Sequence, residues 1–276
     1  MKEKFNEAIF MNTIFFDFQY QSISKIYNYM KNKNYEVYFI NNEDENKIKS
    51  ICETAKDNLS QNYFLYFETD NNSPICDIPD NVILYRTSNS NDTIHKNERI
   101  LPVLYVQNPE YNINNNNILP IKKRDKPFIS FCGYIMSNKK RLTELEYLKK
   151  NNLLNCNFIY KKTFRGGTRN ELIENMKNSE FCFCPVGNGN FSIRFYECLF
   201  IGRIPIILID HQLPFTKFID WKNFIVIANT IEELPEKINN FWKENNIYEK
   251  QIECKKLFEK YFNIDNCLEY LYKNIL

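Results

Sequence analysis

Two histidines, two tryptophans and six glycines in 276 residues set the first limits on this chain. With His95 and His211 as its only imidazoles, it cannot assemble a histidine-rich metal centre. Its nine cysteines contain no C-x-x-C pair, and Cys182 and Cys184, two apart on one expected strand, face the same side. Most cysteines stand in apolar runs, which reads as reduced core thiols and a cytoplasmic setting. No D-x-D triplet occurs, and Glu68-Thr69-Asp70 is only an approximation to one. No metal and no cofactor is therefore expected. No uninterrupted apolar run reaches about eighteen residues, so no transmembrane helix is expected. The opening MKEKFNEAIFMNTIFFDF has a basic start and an apolar patch, but Glu3, Glu7 and Asp17 interrupt it. No small-residue cleavage site follows, so it reads as a first strand rather than a signal peptide. A net charge of +2 supplies no basic field for nucleic acid. Lys122-Lys123-Arg124 reads as a solvated linker.

What the chain does hold is apolar and aromatic mass: 43% hydrophobic residues, with 23 Phe and 18 Tyr. That is enough for real cores and argues against disorder. The length suits one large domain or two small ones. Strand-like and helix-like periods alternate. Ile9 to Phe16 reads as a strand, and Ile23, Ile26, Tyr27 and Met30 as a helix stripe. Tyr35 to Ile40 is a strand, Ile48 to Ala55 a helix, and Tyr63 to Phe67 and Val82 to Tyr85 are buried strands. Residues 107–127, with three prolines and an Asn run, read as a linker. A second alternation starts at Phe128 to Phe131. A helix near 139–150 follows, with Leu142, Leu145 and Leu148 on one side. Then come a strand at Asn157 to Tyr160 and a helix from Arg169 behind the capping box Thr168 to Glu171. Strands are expected near 181–184, 204–209 and 224–227, and helices at 192–201, 230–242 and 247–273, with Pro235 breaking the first turn of the second. Alternation of this kind predicts parallel α/β sheets, divided as 1–120 and 121–276.

The stretch from Phe181 to Trp221 carries the chemistry. A strand runs into the loop Pro185-Val186-Gly187-Asn188-Gly189-Asn190 and then into a helix bearing Ser192, Arg194 and Glu197. A loop feeding a helix N-terminus favours anions, because unpaired backbone N–H groups and the helix dipole both face it. Arg194 adds a planar cation suited to a diphosphate. Glu197, one turn on, suits a ribose diol. Taken alone, the Gly/Asn run is an ordinary turn, Ser192 an N-cap, and Arg194 with Glu197 a surface ion pair.

The same stretch resembles the donor-binding half of exostosin-type glycosyltransferases, glycosyltransferase family 47. The matches are Phe181, Cys182, Gly187, Gly189, Ser192, Arg194, Glu197, Leu199, Gly202, Pro205, Leu213, Pro214, Phe215, Asp220 and Trp221. Gly189 to Arg194 is similar to the compact microbial and viral members. Phe131-Cys132-Gly133-Tyr134 resembles the strand that opens the second domain. Arg86-Thr87-Ser88, Asn97-Glu98 and Leu101-Pro102 resemble a first-domain motif. The resemblance implies a GT-B fold: two Rossmann-like domains facing a cleft, with a C-terminal helix crossing back. It implies inverting transfer from a nucleoside-diphosphate sugar, with UDP the expected carrier, to a hydroxyl of a glycan acceptor. Substrate-binding residues would be Gly187, Gly189, Asn190, Ser192, Arg194 and Glu197, with Arg141 and Arg165 at places where the family carries arginine. Eukaryotic members are mostly membrane-anchored, and this chain departs from them. A GDP-sugar enzyme of the fucosyltransferase kind and a non-catalytic sugar-nucleotide or glycan binder stay open as alternatives.

The general base is the least determined part. Inverting chemistry needs a group to take the acceptor proton. Asp17, Glu68 and Asp70 stand at expected strand ends, and His95 in a polar loop. Trp221 is expected as a packing anchor and Asp220 as the residue that orients its turn.

Overall fold

The computed structural model describes residues 15–40, 44–89, 95–103, 118–163 and 169–276. The side chains of 15–21 and 169 lie outside that description. The chain divides into two compact units, Met1–Tyr105 with Ile264–Leu276, and Val106–Asn263.

The first unit holds α1 (Phe15–Lys31), β1 (Tyr35–Ile40), α2 (Glu45–Asp57), β2 (Asn62–Phe67), β3 (Val82–Arg86) and β4 (Glu98–Ile100). Its sheet is parallel throughout, in the order β1-β2-β3-β4. Such strands are buried on both faces and read as continuous apolar runs, as NYFLYF does. Tyr63, Leu65, Phe67, Val82 and Leu84 pack with Ile48, Ile51, Cys52 and Ala55 of α2. Those four are the stripe the sequence predicts. The strand expected at Ile9 to Phe16 is corrected. Residues 9–14 lie outside the described residues, and Phe15, Phe16 and Asp17 belong to α1. The helix that carries the stripe ending at Met30 starts earlier than expected, so Asp17 sits in a helix and not at a strand end. The three-residue β4 was not anticipated, because Glu-Arg-Ile carries no strand period.

The second unit contains β5 (Phe128–Tyr134), α3 (Arg141–Lys149), β6 (Asn155–Lys161), α4 (Arg169–Lys177), β7 (Phe181–Phe183), α5 (Ile193–Ile201), β8 (Ile204–Leu208), β9 (Val226–Ala228), α6 (Leu234–Glu244) and α7 (Ile247–Tyr261). A 3-10 turn at Trp221–Asn223 precedes β9, so the last strand begins later than expected. The order β6-β5-β7-β8-β9 is again all parallel. The chain first builds outward to β6, then returns beside β5 and builds the other way. That reversal lies between β5 and β7, and open sheets of this kind bind ligands at the carboxyl ends of the strands that flank it.

Two helices differ from expectation for local reasons. In α3 the buried residues are Arg141, Leu145 and Leu148, while Leu142 is turned out. The i, i+4, i+7 stripe therefore includes an arginine. In α6 the helix starts at Leu234 with Pro235 in its first turn, where the missing N–H costs nothing. The single terminal helix expected over 247–273 is two: α7, and α8 (Ile264–Lys273), which belongs to the first unit. There the Tyr85 hydroxyl donates to the Leu271 carbonyl at 2.8 Å, and Arg99 donates to that of Asn274 at 2.9 Å. The terminal helix thus crosses back to the first sheet, as a GT-B fold requires.

Candidate functional site

The carboxyl ends of β5 and β7 are held together by two arginines. Arg141 reaches from α3 to the Tyr134 carbonyl at 2.7 Å, and across to those of Pro185 at 3.2 Å and Val186 at 2.6 Å. It also donates to the Ser137 hydroxyl. One buried side chain thus ties the end of β5 to the loop after β7. Asn138 assists, its amide donating to the Gly187 carbonyl at 3.3 Å. The same loop is closed by Gly187 N–H to the Phe191 carbonyl at 3.0 Å and by Gln212 N–H to the Asn190 carbonyl at 2.7 Å.

Arg194 comes from the first turn of α5. Its Nη1 donates to the Cys132 carbonyl, and its Nε to Glu197 Oε2 at 3.1 Å. This close approach to β5 explains Gly133: a Cβ there would lie 3.3 Å from Arg194 Nη2 and from the Phe131 ring. Ser192 occupies the N-cap position in an extended conformation, but its side chain makes no capping hydrogen bond. At the other end Gly202 sits in the left-handed region, at φ 75°, where its lack of a Cβ matters. Gly202 N–H bonds Leu199 and Arg203 N–H bonds Cys198, which is a Schellman stop.

The electrostatics follow from this packing. Burial first, and the Arg194 charge second, push the Arg141 pKa down to about 10, so it remains a cation near neutrality. Burial also works against the Arg194 cation, yet the Glu197 carboxylate and then the nearby cysteines hold its pKa above the ordinary value. Among the described residues, Arg141 has no carboxylate partner within ion-pair distance. The cluster of Arg141, Arg194 and Glu197 carries a surplus positive charge in a water-poor place. Two carboxyls that the sequence did not single out belong to the same edge. Glu144 is raised by burial and then by Asp210, with Lys140 and then the Arg141 cation opposing, and Asp210 is raised by burial, with Lys140 opposing. Nothing in their spacing announces them, since they come from α3 and from the turn after β8.

The structure thus assembles Gly187, Arg141, Arg194 and Glu197, with Gly189, Asn190 and Ser192 in the same loop. Glu197 is 3% exposed and already accepts from Arg194. Arg165 and Thr168 lie outside the described residues, although α4 does begin at Arg169. In the first unit, Glu68 and Asp70 follow β2 as expected, and Glu68 accepts from the Tyr66 hydroxyl at 2.9 Å. His95 lies 3.4 Å from Asp77. Trp221 is the expected anchor: buried, donating to the Pro214 carbonyl at 2.9 Å and packed on Phe195 and Phe262. Asp220 accepts from Asn223 across its turn.

A model of the exostosin GT47 domain matches residues 63–240, more than half of the chain. The chain belongs to the exostosin GT47 family. Its relatives include a probable glycosyltransferase of Arabidopsis thaliana, 26% identical over 143 residues, 50% of this chain and 26% of that protein. Exostosin-1 of Drosophila melanogaster is 33% identical over 90 residues, 32% of this chain and 12% of that protein. A probable glucuronosyltransferase of Oryza sativa subsp. japonica is 33% identical over 110 residues, 37% of this chain and 25% of that protein. The chain therefore aligns with about a quarter or less of each of these relatives. The family match covers β2 to β4 as well as the Arg141 and Arg194 cluster, so it begins upstream of the residues that carry the resemblance in sequence. No helix among the described residues is long and apolar enough to cross a membrane.

Proposed function

We propose that this exostosin GT47 protein is an inverting glycosyltransferase that moves a sugar from a nucleoside-diphosphate donor, UDP first, to a hydroxyl of a glycan. The observation that supports it most is the surplus positive charge at the carboxyl ends of β5 and β7, beside the start of α5. Leaving-group charge that grows on a diphosphate needs fixed donors already in place, and buried guanidinium groups supply them without a metal. Arg194 is the diphosphate ligand in this reading. Glu197 holds the Arg194 fork in position, and Arg141 braces the loop that receives the donor. The unit Met1–Tyr105 with Ile264–Leu276 is the acceptor side and Val106–Asn263 the donor side, with Glu68 and Asp70 as the bases to test first and Asp17 after them. The glucuronosyltransferase name of the rice relative puts a glucuronosyl donor in the first screen. A cytoplasmic setting is part of the proposal, supported by nine free thiols.

The test is thermal stability against UDP, GDP, CMP and their sugars. A ligand at about one hundred times its Kd should stabilise by about 2.7 kcal/mol. Arg194→Lys keeps a cation beside Glu197 but loses the planar fork, and should lower transfer about a hundredfold. Normal transfer by a folded Arg194→Lys protein would remove Arg194 from the mechanism. If no nucleotide stabilises the wild type, the sugar-nucleotide reading fails. Binding with neither transfer nor donor hydrolysis favours the non-catalytic reading.

A further inference from the structure

Directly behind the Arg194 turn lies a group of three cysteines. Cys182 of β7, Cys184 one residue past the end of that strand, and Cys198 of α5 bring their sulfur atoms together. All three are fully buried, and their sulfur atoms lie within 4.8 Å of one another. Cys198 is four residues after Arg194, so it shares the sheet-facing side of the helix with the guanidinium. We propose that Cys182, Cys184 and Cys198 form a closed, three-coordinate thiolate site for a soft monovalent ion, Cu⁺.

The geometry favours three-coordination. A metal–sulfur bond of about 2.3 Å places trigonal sulfurs about 4.0 Å apart, so the ligands close onto an ion with movements below about 1 Å. Among the described residues no fourth His, Cys, Asp or Glu ligand joins the group. Zn²⁺ with three protein ligands keeps water or substrate in its fourth position. Thiols that are 0% exposed leave no such opening. Soft thiolates select Cu⁺ when a tetrahedral shell is not available. On binding, each thiol gives up its proton to solvent, and the ion remains Cu⁺ throughout. The ion would pin α5 to β7 one turn from Arg194. This role is structural and does not depend on sugar transfer.

The test uses the full chain, purified without oxygen in a non-thiol reductant and titrated with Cu⁺ against a chromophoric Cu⁺ chelator. One ion per chain should be withheld from the chelator. X-ray absorption should show three sulfur neighbours at about 2.2–2.3 Å with no lighter neighbour. Cys198→Ala should lose at least a hundredfold in affinity, while the isolated buried thiols of Cys254→Ala and Cys267→Ala leave it unchanged. Cys52 and Cys76, 3.8 Å apart, are the rival pair. A two-sulfur signature that persists in Cys198→Ala and disappears in Cys52→Ala would overturn the assignment. So would surrender of all copper to the chelator, or preferential uptake of four-coordinate Zn²⁺. If Cys198→Ala does not fold, the sulfur count in the wild type decides alone.

Discussion

A buried arginine stands at the carboxyl end of each sheet, Arg86 from β3 itself and Arg141 from α3, and the two are held in opposite ways. Arg86, the last residue of β3, is 0% exposed and faces Glu98 at 3.6 Å. It also donates to the carbonyls of Ser73 at 3.0 Å and of Asn71. Around it Thr87 bonds Thr69, Ser88 bonds Asn72 and Asn89 bonds Glu98. Charge is matched there, and the network fixes the loops behind β2 and β3. Arg141 fixes loops just as firmly, but through carbonyls and a hydroxyl, and the Glu144 carboxyl acts on its charge only from beyond ion-pair distance. A neutralised arginine is scaffolding. One whose charge is not cancelled, with a second arginine beside it, keeps its attraction for an anion.

The largest effect that tests this contrast is on the neutralised side. Glu98→Leu leaves the Arg86 cation buried and unpaired, and should cost about 3–5 kcal/mol in urea unfolding. Nucleotide affinity of the folded fraction should not change. Loss of affinity at unchanged stability would reverse the two roles.

Acid should weaken the other unit next. His211, beside the Phe195 ring, is fully enclosed, and burial pushes its pKa down to about 4 from an ordinary 6.5. The unfolded imidazole takes its proton near the ordinary value, and the folded one only near 4. Stability is therefore whole above about pH 6.5 and is lost as pH falls toward about 4, by roughly 3 kcal/mol at most. The urea midpoint should follow that course, and His211→Phe should flatten it. An unchanged slope in His211→Phe would show that other groups carry the acid response.

A smaller change is expected from Arg141→Lys. An ammonium cannot span the carbonyls of Tyr134, Pro185 and Val186, so UDP affinity should fall about tenfold, or about 1.4 kcal/mol. Equal affinity measured by calorimetry would mean that the loop needs no brace. The smallest effect is expected from EDTA, which should leave transfer unchanged. Loss of activity restored by Mn²⁺ or Mg²⁺ would overturn reliance on guanidinium charge.

Much of this was legible in the sequence because it is written locally. The runs Tyr63 to Phe67 and Ile204 to Leu208 are too apolar for anything but buried strands. Gly202 marks a helix end by chemistry only glycine performs easily. The Gly187 to Glu197 pattern reads as a loop feeding a helix, and the structure forms that loop between β7 and α5. What escaped detection depends on register and partners. Leu142 and Arg141 are adjacent, and only packing decides which one faces inward. The polar triplet Glu98-Arg99-Ile100 becomes a strand because β3 offers it an edge. Cys182 and Cys184 were seen to share a face, but not that Cys198 would join them. Glu144 and Asp210 are brought together by the fold alone.

The link between Tyr85 and Leu271 spans 186 residues and has a consequence for biosynthesis. The first sheet leaves the ribosome early, but α8, which Tyr85 of that sheet bonds, is made after the whole second unit. Leu271 and Cys267 are 0% exposed against partners that must wait for them. During synthesis the later unit can complete its fold first, while the earlier one stays partly uncovered and open to chaperones. Removing residues 264–276 should therefore cripple the N-terminal sheet rather than the unit that immediately precedes the cut.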